Sequence, residues 1–325
     1  MTYTSGGLIQ ATDYNGFVST TAGANINDIW STGSSDKGYG QSAVSTVSAA
    51  GTITDTQWAT LVNTLSSLGS QTNTTLTARS APTAGTLISV LAAVNTDITN
   101  VTTNRNNAAA VGSQFTGWSG TNSKTAATSG ATWSITFTNT VTWASAAAAR
   151  YFFNGGGLIK LDVSKTATGA LGDPEWNDLA STLCGDIWIS GVGTAHTIAG
   201  TSYTGVTKIG GTGTPSTLQN SLGWYNLTTS DQVIYKQFAD TAPYTSNFIQ
   251  HSAKTAGSGT QLVITTLWSA TDAGPGNADP ISGGTAASGA TPGTAPCTIC
   301  TYYPPSTTYL TSASWGTPTV AATTV

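Results

Sequence analysis

Residues able to do acid–base, nucleophilic or metal chemistry are scarce in this 325-residue chain: 2 histidines, 3 cysteines and 14 carboxylates. A Ser/His/Asp triad would have to recruit His196 or His251. The stretch Gly191-Val192-Gly193-Thr194-Ala195-His196 has no G-x-S-x-G elbow to expose a nucleophile, and His251 ends an expected strand. Glycoside hydrolysis needs two carboxylates across one cleft, and Asp162, Asp173, Glu175 and Asp178 are the candidates. Each also has a structural reading. Asp162 shares the solvent face of a strand with Lys160, and Asp173 caps a helix. Glu175 lies in the first helical turn, where the macrodipole favours negative charge, and Asp178 follows on the same helix. Gly155-Gly156-Gly157 lacks the Lys-Ser/Thr of a phosphate loop and precedes a strand, so turn formation accounts for it. Cys297-Thr298-Ile299-Cys300 has C-x-x-C spacing but no second pair; further ligands would be Cys184, His196 or His251. The expectation is an incidental pair in a Pro/Thr-rich loop. No catalytic residue, no bound metal and no cofactor is expected, so the chain does not read as an enzyme.

The elements around these residues change character along the chain. Ala11 to Asn15 can cap a short helix carrying Phe17 and Val18. A Gly/Ser/Ala-rich stretch, Ser31 to Gly51, contains the turn Asp36-Lys37-Gly38-Tyr39-Gly40. Thr54 and Gln57 form a capping box before a stripe of Trp58, Leu61, Leu65 and Leu68, with Gly69 as a stop. Leu87, Leu91, Val94, Ile98 and Val101 then alternate steps of four and three, a heptad seam. That seam is a candidate interface. It packs either on the Trp58 stripe of the same chain or in a helical bundle between subunits. Thr116 to Gly130 reads as a linker.

Beyond the linker the period falls to two. Trp133, Ile135, Phe137, Val141 and Trp143 share one face of a strand whose other face is Ser and Thr. Arg150 to Val163 reads as two extended arms around an Asn154-Gly155 turn. Asp173-Pro174 starts a helix reaching Leu179. Further strands are expected at Asp186–Ile189, Gln232–Phe238, Tyr244–His251 and Gln261–Trp268, then a loop from Ala273 to Thr298 and an extended strip from Thr308 to Val325. The expected class is α+β, mainly β. Residues 1–130 form a small helical and loop docking module, and residues 131–325 an antiparallel β-sandwich-like domain.

Composition sets the function class. Only 7% of residues are charged, against about 25% in ordinary soluble domains. Thr, Ser, Ala, Gly and Asn fill the gap, a surface that resists self-association weakly and suits burial in an assembly. Net charge is −4 without a Lys/Arg cluster, so nucleic-acid binding through phosphates is not expected. Without a run of 18 apolar residues, membrane insertion is not expected either. The first residues lack the basic and apolar regions of a signal peptide, which fits synthesis in a cytoplasm without export by the usual route. Among 10 Trp, 11 Tyr and 7 Phe, Trp133 and Trp143 read as core, whereas Trp224-Tyr225 beside a turn is a second candidate interface.

Three segments carry a resemblance: Gly7 to Asn15, Asn104 to Ala110, and Ala149 to Lys160 with its Phe152-Phe153-Asn154-Gly155-Gly156-Gly157 run. Asp173 to Leu179 and Tyr225 to Thr229 extend it, so that it spans residues from about 6 to about 270. Together these resemble an uncharacterised family of tailed-bacteriophage virion structural proteins. Family usage often has Ala where this chain has Gly156. The resemblance implies a component of the tail or baseplate and no catalytic residues. It implies other virion proteins as partners, with assembly in the host cytoplasm and a place in the virion, and the symmetry of such assemblies leads to the expectation of a homo-oligomer. The alternatives are a receptor- or glycan-binding tail fibre module, with a host surface glycan as partner, and a capsid decoration protein.

Overall fold

In a computed structural model of the chain the described residues are 9–19, 24–49, 51–83, 91–121, 132–166, 173–271 and 296–324. The early helices start where a side chain replaces a missing backbone partner. Helix α1 (Ala11–Val18) opens with the Gln10 amide donating to Asp13 at 3.0 Å. Helix α2 (Ile26–Trp30) opens with Asn25 accepting from the Asp28 amide at 3.0 Å. Helix α3 (Asp55–Gln71) has the expected capping box, with Gln57 N–H to Thr54 Oγ1 at 3.2 Å and Thr54 N–H to Gln57 Oε1 at 2.9 Å. The stripe Trp58, Leu61, Leu65 and Leu68 is buried. Gly69 does not end this helix; it lets Leu76 approach, because a Cβ there would stand 2.6 Å from the Leu76 side chain.

Helix α4 (Leu91–Thr103) packs against α1 and α3. Its Asp97 is buried and ion-paired with Arg79, and also accepts from the Thr77 amide. Breaking such a buried pair from one side costs about 3–5 kcal/mol, so this contact fixes the returning segment 77–79 against the helix.

The expected strand at Arg150–Phe153 is instead helix α5 (Ala146–Asn154). The Ser145 hydroxyl caps it by accepting from the Ala148 amide at 3.0 Å, and Ala148, Ala149, Phe152 and Phe153 form its buried face. The glycines after it make a helix stop rather than a hairpin turn. Gly157 N–H reaches Phe152 C=O at 2.8 Å and Gly156 N–H reaches Phe153 C=O at 3.2 Å, with Gly156 at φ +93°. This is a Schellman ending, and Asn-Gly serves it as readily as it serves a turn. Helix α6 (Asp173–Asp178) begins where expected and runs on as a π-helical segment, Leu179–Cys184.

Two antiparallel sheets carry most of the remaining chain. The five-stranded sheet has the order β1 (Phe115–Thr121), β12 (Cys297–Tyr303), β3 (Leu158–Ser164), β4 (Asp186–Ile189) and β7 (Val206–Ile209). The six-stranded sheet has the order β13 (Thr319–Thr324), β2 (Trp133–Thr142), β11 (Gln261–Ala270), β10 (Phe248–Ala256), β9 (Gln232–Phe238) and β8 (Thr217–Leu218). A hairpin of β5 (His196–Ile198) and β6 (Thr201–Tyr203) stands apart. Edge β1 lies against β13 and edge β7 against β8, so the sheets face one another as a sandwich. Ile159, Leu161 and Val163 of β3 meet Ile135, Phe137 and Val141 of β2 and Leu262, Ile264 and Trp268 of β11 in one apolar core. Each such side chain contributes about 1.5–3 kcal/mol on burial.

The molecule is therefore α+β, mainly β, with helices gathered towards the N-terminus. The core continues without a break from α1 to Trp315. Strand β1 precedes residue 130 and pairs with β12, so the described part of the expected linker is sheet. The strand expected at Tyr244–His251 starts later, at Phe248, because residues 241–247 form consecutive turns closed by Tyr244 N–H to Thr241 C=O and Asn247 N–H to Tyr244 C=O, each 2.9 Å. The expected loop at Ala273–Thr298 falls mainly outside the described residues.

A glycine substitution tests the α5 ending. A Cβ on Gly156 would lie 2.5 Å from Ala108 Cβ, whereas Gly200, at φ +81°, has nothing within 4 Å. Gly156→Ala is expected to cost about 2–3 kcal/mol in urea unfolding and Gly200→Ala only about 1 kcal/mol. Equal losses would mean that the Ala108 contact is slack.

Candidate functional site

The structure buries Val94, Ile98, Val101 and Trp224 among the candidate interface residues and leaves Tyr225 half-buried. Val94, Ile98 and Val101 are 1%, 0% and 0% exposed and share a core with Trp58, Leu61, Leu65 and Leu68. The described seam thus lines an intramolecular contact, the packing on the Trp58 stripe that was one of its two expected readings. Leu91 lies in α4, and Leu87 falls outside the described residues.

Trp224 is buried and Tyr225 half-buried. They sit on the 3-10 turn Trp224–Asn226, held by Trp224 N–H to Ser190 C=O at 2.9 Å and Tyr225 N–H to Gly191 C=O at 3.0 Å. The Trp224 ring stacks on Phe153 at 5.2 Å. The Tyr225 hydroxyl lies 2.7 Å from both Ser35 C=O and Asn154 Oδ1, and burial raises its phenol above the ordinary value. Asn154 Nδ2 in turn donates to the carbonyls of Lys37 (3.0 Å) and Gly38 (2.9 Å). An aromatic pair beside a turn looked like a docking feature; its partners lie far away in sequence, where local patterning does not reach.

The histidines and cysteines are core residues. His251 is 1% exposed, with Nδ1 2.8 Å from Thr266 Oγ1 and its ring stacked on Tyr235 at 5.5 Å. Burial lowers its pKa to about 3. His196 Nδ1 is 2.8 Å from Thr194 C=O, and burial lowers its pKa too. Cys184, Cys297 and Cys300 are free and buried, and burial pushes their thiols up to about 12, 11 and 12. Cys297 and Cys300 lie on strand β12, not in the expected loop, and three residues along a strand turns side chains to opposite faces. Buried neutral thiols pack as small apolar groups and make poor nucleophiles.

The carboxylates divide into two groups. Asp162 faces outward from β3 beside Lys160, which pairs with Asp186 at 3.5 Å and lies 4.0 Å from Asp162. Burial, with Asp186 nearby, raises Asp162. On the same outer face Trp188 packs 5.0 Å from Tyr303 and 6.0 Å from Tyr203. The second group is Glu175, Asp178 and Asp240, whose carboxylate oxygens approach within 4.8 Å of one another. Glu175 and Asp178 are three apart on α6 and share a face; Asp240 arrives from the end of β9. Glu175 is 8% exposed, and its Oε1 is buried without a hydrogen-bond partner. Its pKa is raised, chiefly by burial and also by Asp178 and Asp240, while the Thr241 hydroxyl and amide act the other way. Two of the three members of this cluster were legible in the sequence, Glu175 and Asp178. Asp240 carried no signal, since only the sandwich topology brings it near.

The outer face of the six-stranded sheet is polar; Lys254 on β10 and Lys236 on β9 lie on it, whereas its β13, β2 and β11 part carries no ions. Thr136, Thr138, Thr140 and Thr142 alternate along β2 as half-buried residues, opposite the buried Ile135, Phe137, Asn139 and Val141. Thr138 pairs with Thr265 on β11 and Thr323 on β13, making a threonine row across three strands. The strands β13, β2 and β11 contain no Asp, Glu, Lys or Arg.

The fold defines an α+β protein built on an antiparallel sandwich. Comparison with known proteins finds no matching family model, no matching curated protein and no matching solved structure.

The buried imidazole sets an acid dependence. His251 is held neutral in the fold, with a pKa below the ordinary 6.5, so its contribution is full above pH 6.5 and lost as pH falls towards about 3. Each unit in that window removes about 1.4 kcal/mol from this group. Urea unfolding between pH 7.5 and 4.5 should show a shallower acid loss in His251→Gln than in the parent. Identical slopes would show that the imidazole takes up its proton without unfolding.

Proposed function

We propose that the protein is a structural component of a tailed-bacteriophage particle, placed at the tail or baseplate, and that it acts by assembly. The observation that carries this reading is the three-strand face of β13, β2 and β11, rich in Thr and free of charged residues. Natural sheets discourage edge and face association with charges, above all lysine. Here methyls and hydroxyls stand in their place. Bringing two such faces together strips water from hydroxyls and methyl groups, not from ions, so the desolvation penalty is small. The 7% charge content extends the same property to the chain as a whole. The sequence resemblance supplies the particle, and closed symmetry makes copies of the chain its first partners.

The glycan-binding alternative draws on a different surface. Trp188 and Tyr303, with Lys160 and Asp162 beside them, offer an aromatic platform edged by polar groups. Stacking on sugars uses such rings.

Native mass measurement of the purified chain, with immunoblotting of purified particles, tests the proposal. A defined oligomer present in particles is the expected result. Thr138→Lys, on the half-buried outer row, should leave the circular dichroism spectrum unchanged and abolish assembly. A monomer absent from particles overturns the reading, and glycan-array binding lost in Trp188→Ala moves the function to the alternative.

A further inference from the structure

We infer that Glu175, Asp178 and Asp240 form a binding site for a hard divalent cation of the calcium type, which ties α6 to the connection between β9 and β10. Three carboxylate oxygens within 4.8 Å of one another have the spacing of ligands around one ion. Acidic clusters alone are common on surfaces, but Glu175 is not a surface residue. At 8% exposure it is more than nine-tenths buried, and its Oε1 has no hydrogen-bond donor at all. A buried polar atom without a partner needs a physical explanation, and for a carboxylate oxygen beside two further carboxylates the fitting partner is a cation. Among the described residues no lysine or arginine pairs with any of the three. Among the described residues three negative groups are thus collected and no positive one is supplied.

The donor set selects the ion. All three ligands are carboxylates, with no histidine or cysteine, which disfavours zinc and suits magnesium or calcium. Calcium accepts six to eight oxygens in loose geometry, whereas magnesium demands a tight octahedron and holds its waters. Asp240 is exposed and Asp178 half-buried, so the ion enters from solvent and keeps water on that side, with Glu175 as the inner ligand. Glu175 and Asp178 come from one helical turn and Asp240 from the connection after β9. Binding thus joins two segments that the chain separates, and its free energy adds to that of the fold.

Terbium is the direct probe. Trp176 neighbours the site in sequence and packs on Trp133 at 4.8 Å and Trp268 at 5.8 Å, so tryptophan excitation should sensitise bound terbium. With the full chain, terbium emission should saturate at one ion per protein and fall on adding calcium more than on adding magnesium. Saturating calcium should raise the melting temperature by roughly 5 °C over an EDTA-treated sample. Glu175→Gln and the exposed-site variant Asp240→Asn should both fold without metal and lose both responses. Absence of displaceable terbium and of any calcium shift in the parent overturns the site, as does an undiminished calcium response in both variants. Neither outcome depends on whether the protein belongs to a particle.

Discussion

The C-terminal end of α5 is the constraint on which the rest of the molecule depends. Phe152 and Phe153 leave this helix into the sandwich core, Asn154 hydrogen-bonds the loop between α2 and α3, and the three glycines turn the chain directly into β3. Trp143, Trp224 and Tyr302 all pack on the two phenylalanines. In one turn of helix the chain joins the two sheets and the N-terminal helices. Each joint uses a different interaction: aromatic packing, amide hydrogen bonds, and a backbone ending that demands positive φ.

What the sequence made legible was whatever local chemistry decides. The capping box of α3, the alternation of β2 and the bounds of β4 and β9 emerge as expected, because capping oxygens and period-two burial are properties of neighbours in the chain. The failures share one cause. Arg150–Phe153 has β-rich aromatics that also suit a helix once Ser145 caps it and the glycines end it. Trp224-Tyr225 was apolar enough for an interface, but its partners, Phe153 and Ser35, are distant residues. The C-x-x-C pair became strand because β1 and β3 offer it ladders on both sides. Two of the three clustered carboxylates were visible and the third, Asp240, was not, for the same reason.

Polar residues inside this protein are treated unevenly. Asp97 has Arg79, His251 has Thr266, and Asn154 has several carbonyls. Asn139, on the inner face of β2 at 0% exposure, has no partner for either side-chain atom. It interrupts an otherwise apolar row and leaves an amide dry, a cost of about 1–3 kcal/mol for each unmet group. A core so large in aromatic area tolerates this, since the burial around it exceeds the loss many times over.

The strand order has a consequence for how the molecule is made. Between β1 and β3 lies β12, contributed by residues 297–303, and the outer partner of β2 comes from residues 319–324. During synthesis both sheets must wait, gapped and with bare backbone edges, until those late segments leave the ribosome. A chain so poor in repelling charge passes that interval exposed to its neighbours on the polysome, where a borrowed strand from another copy would fit the same gap.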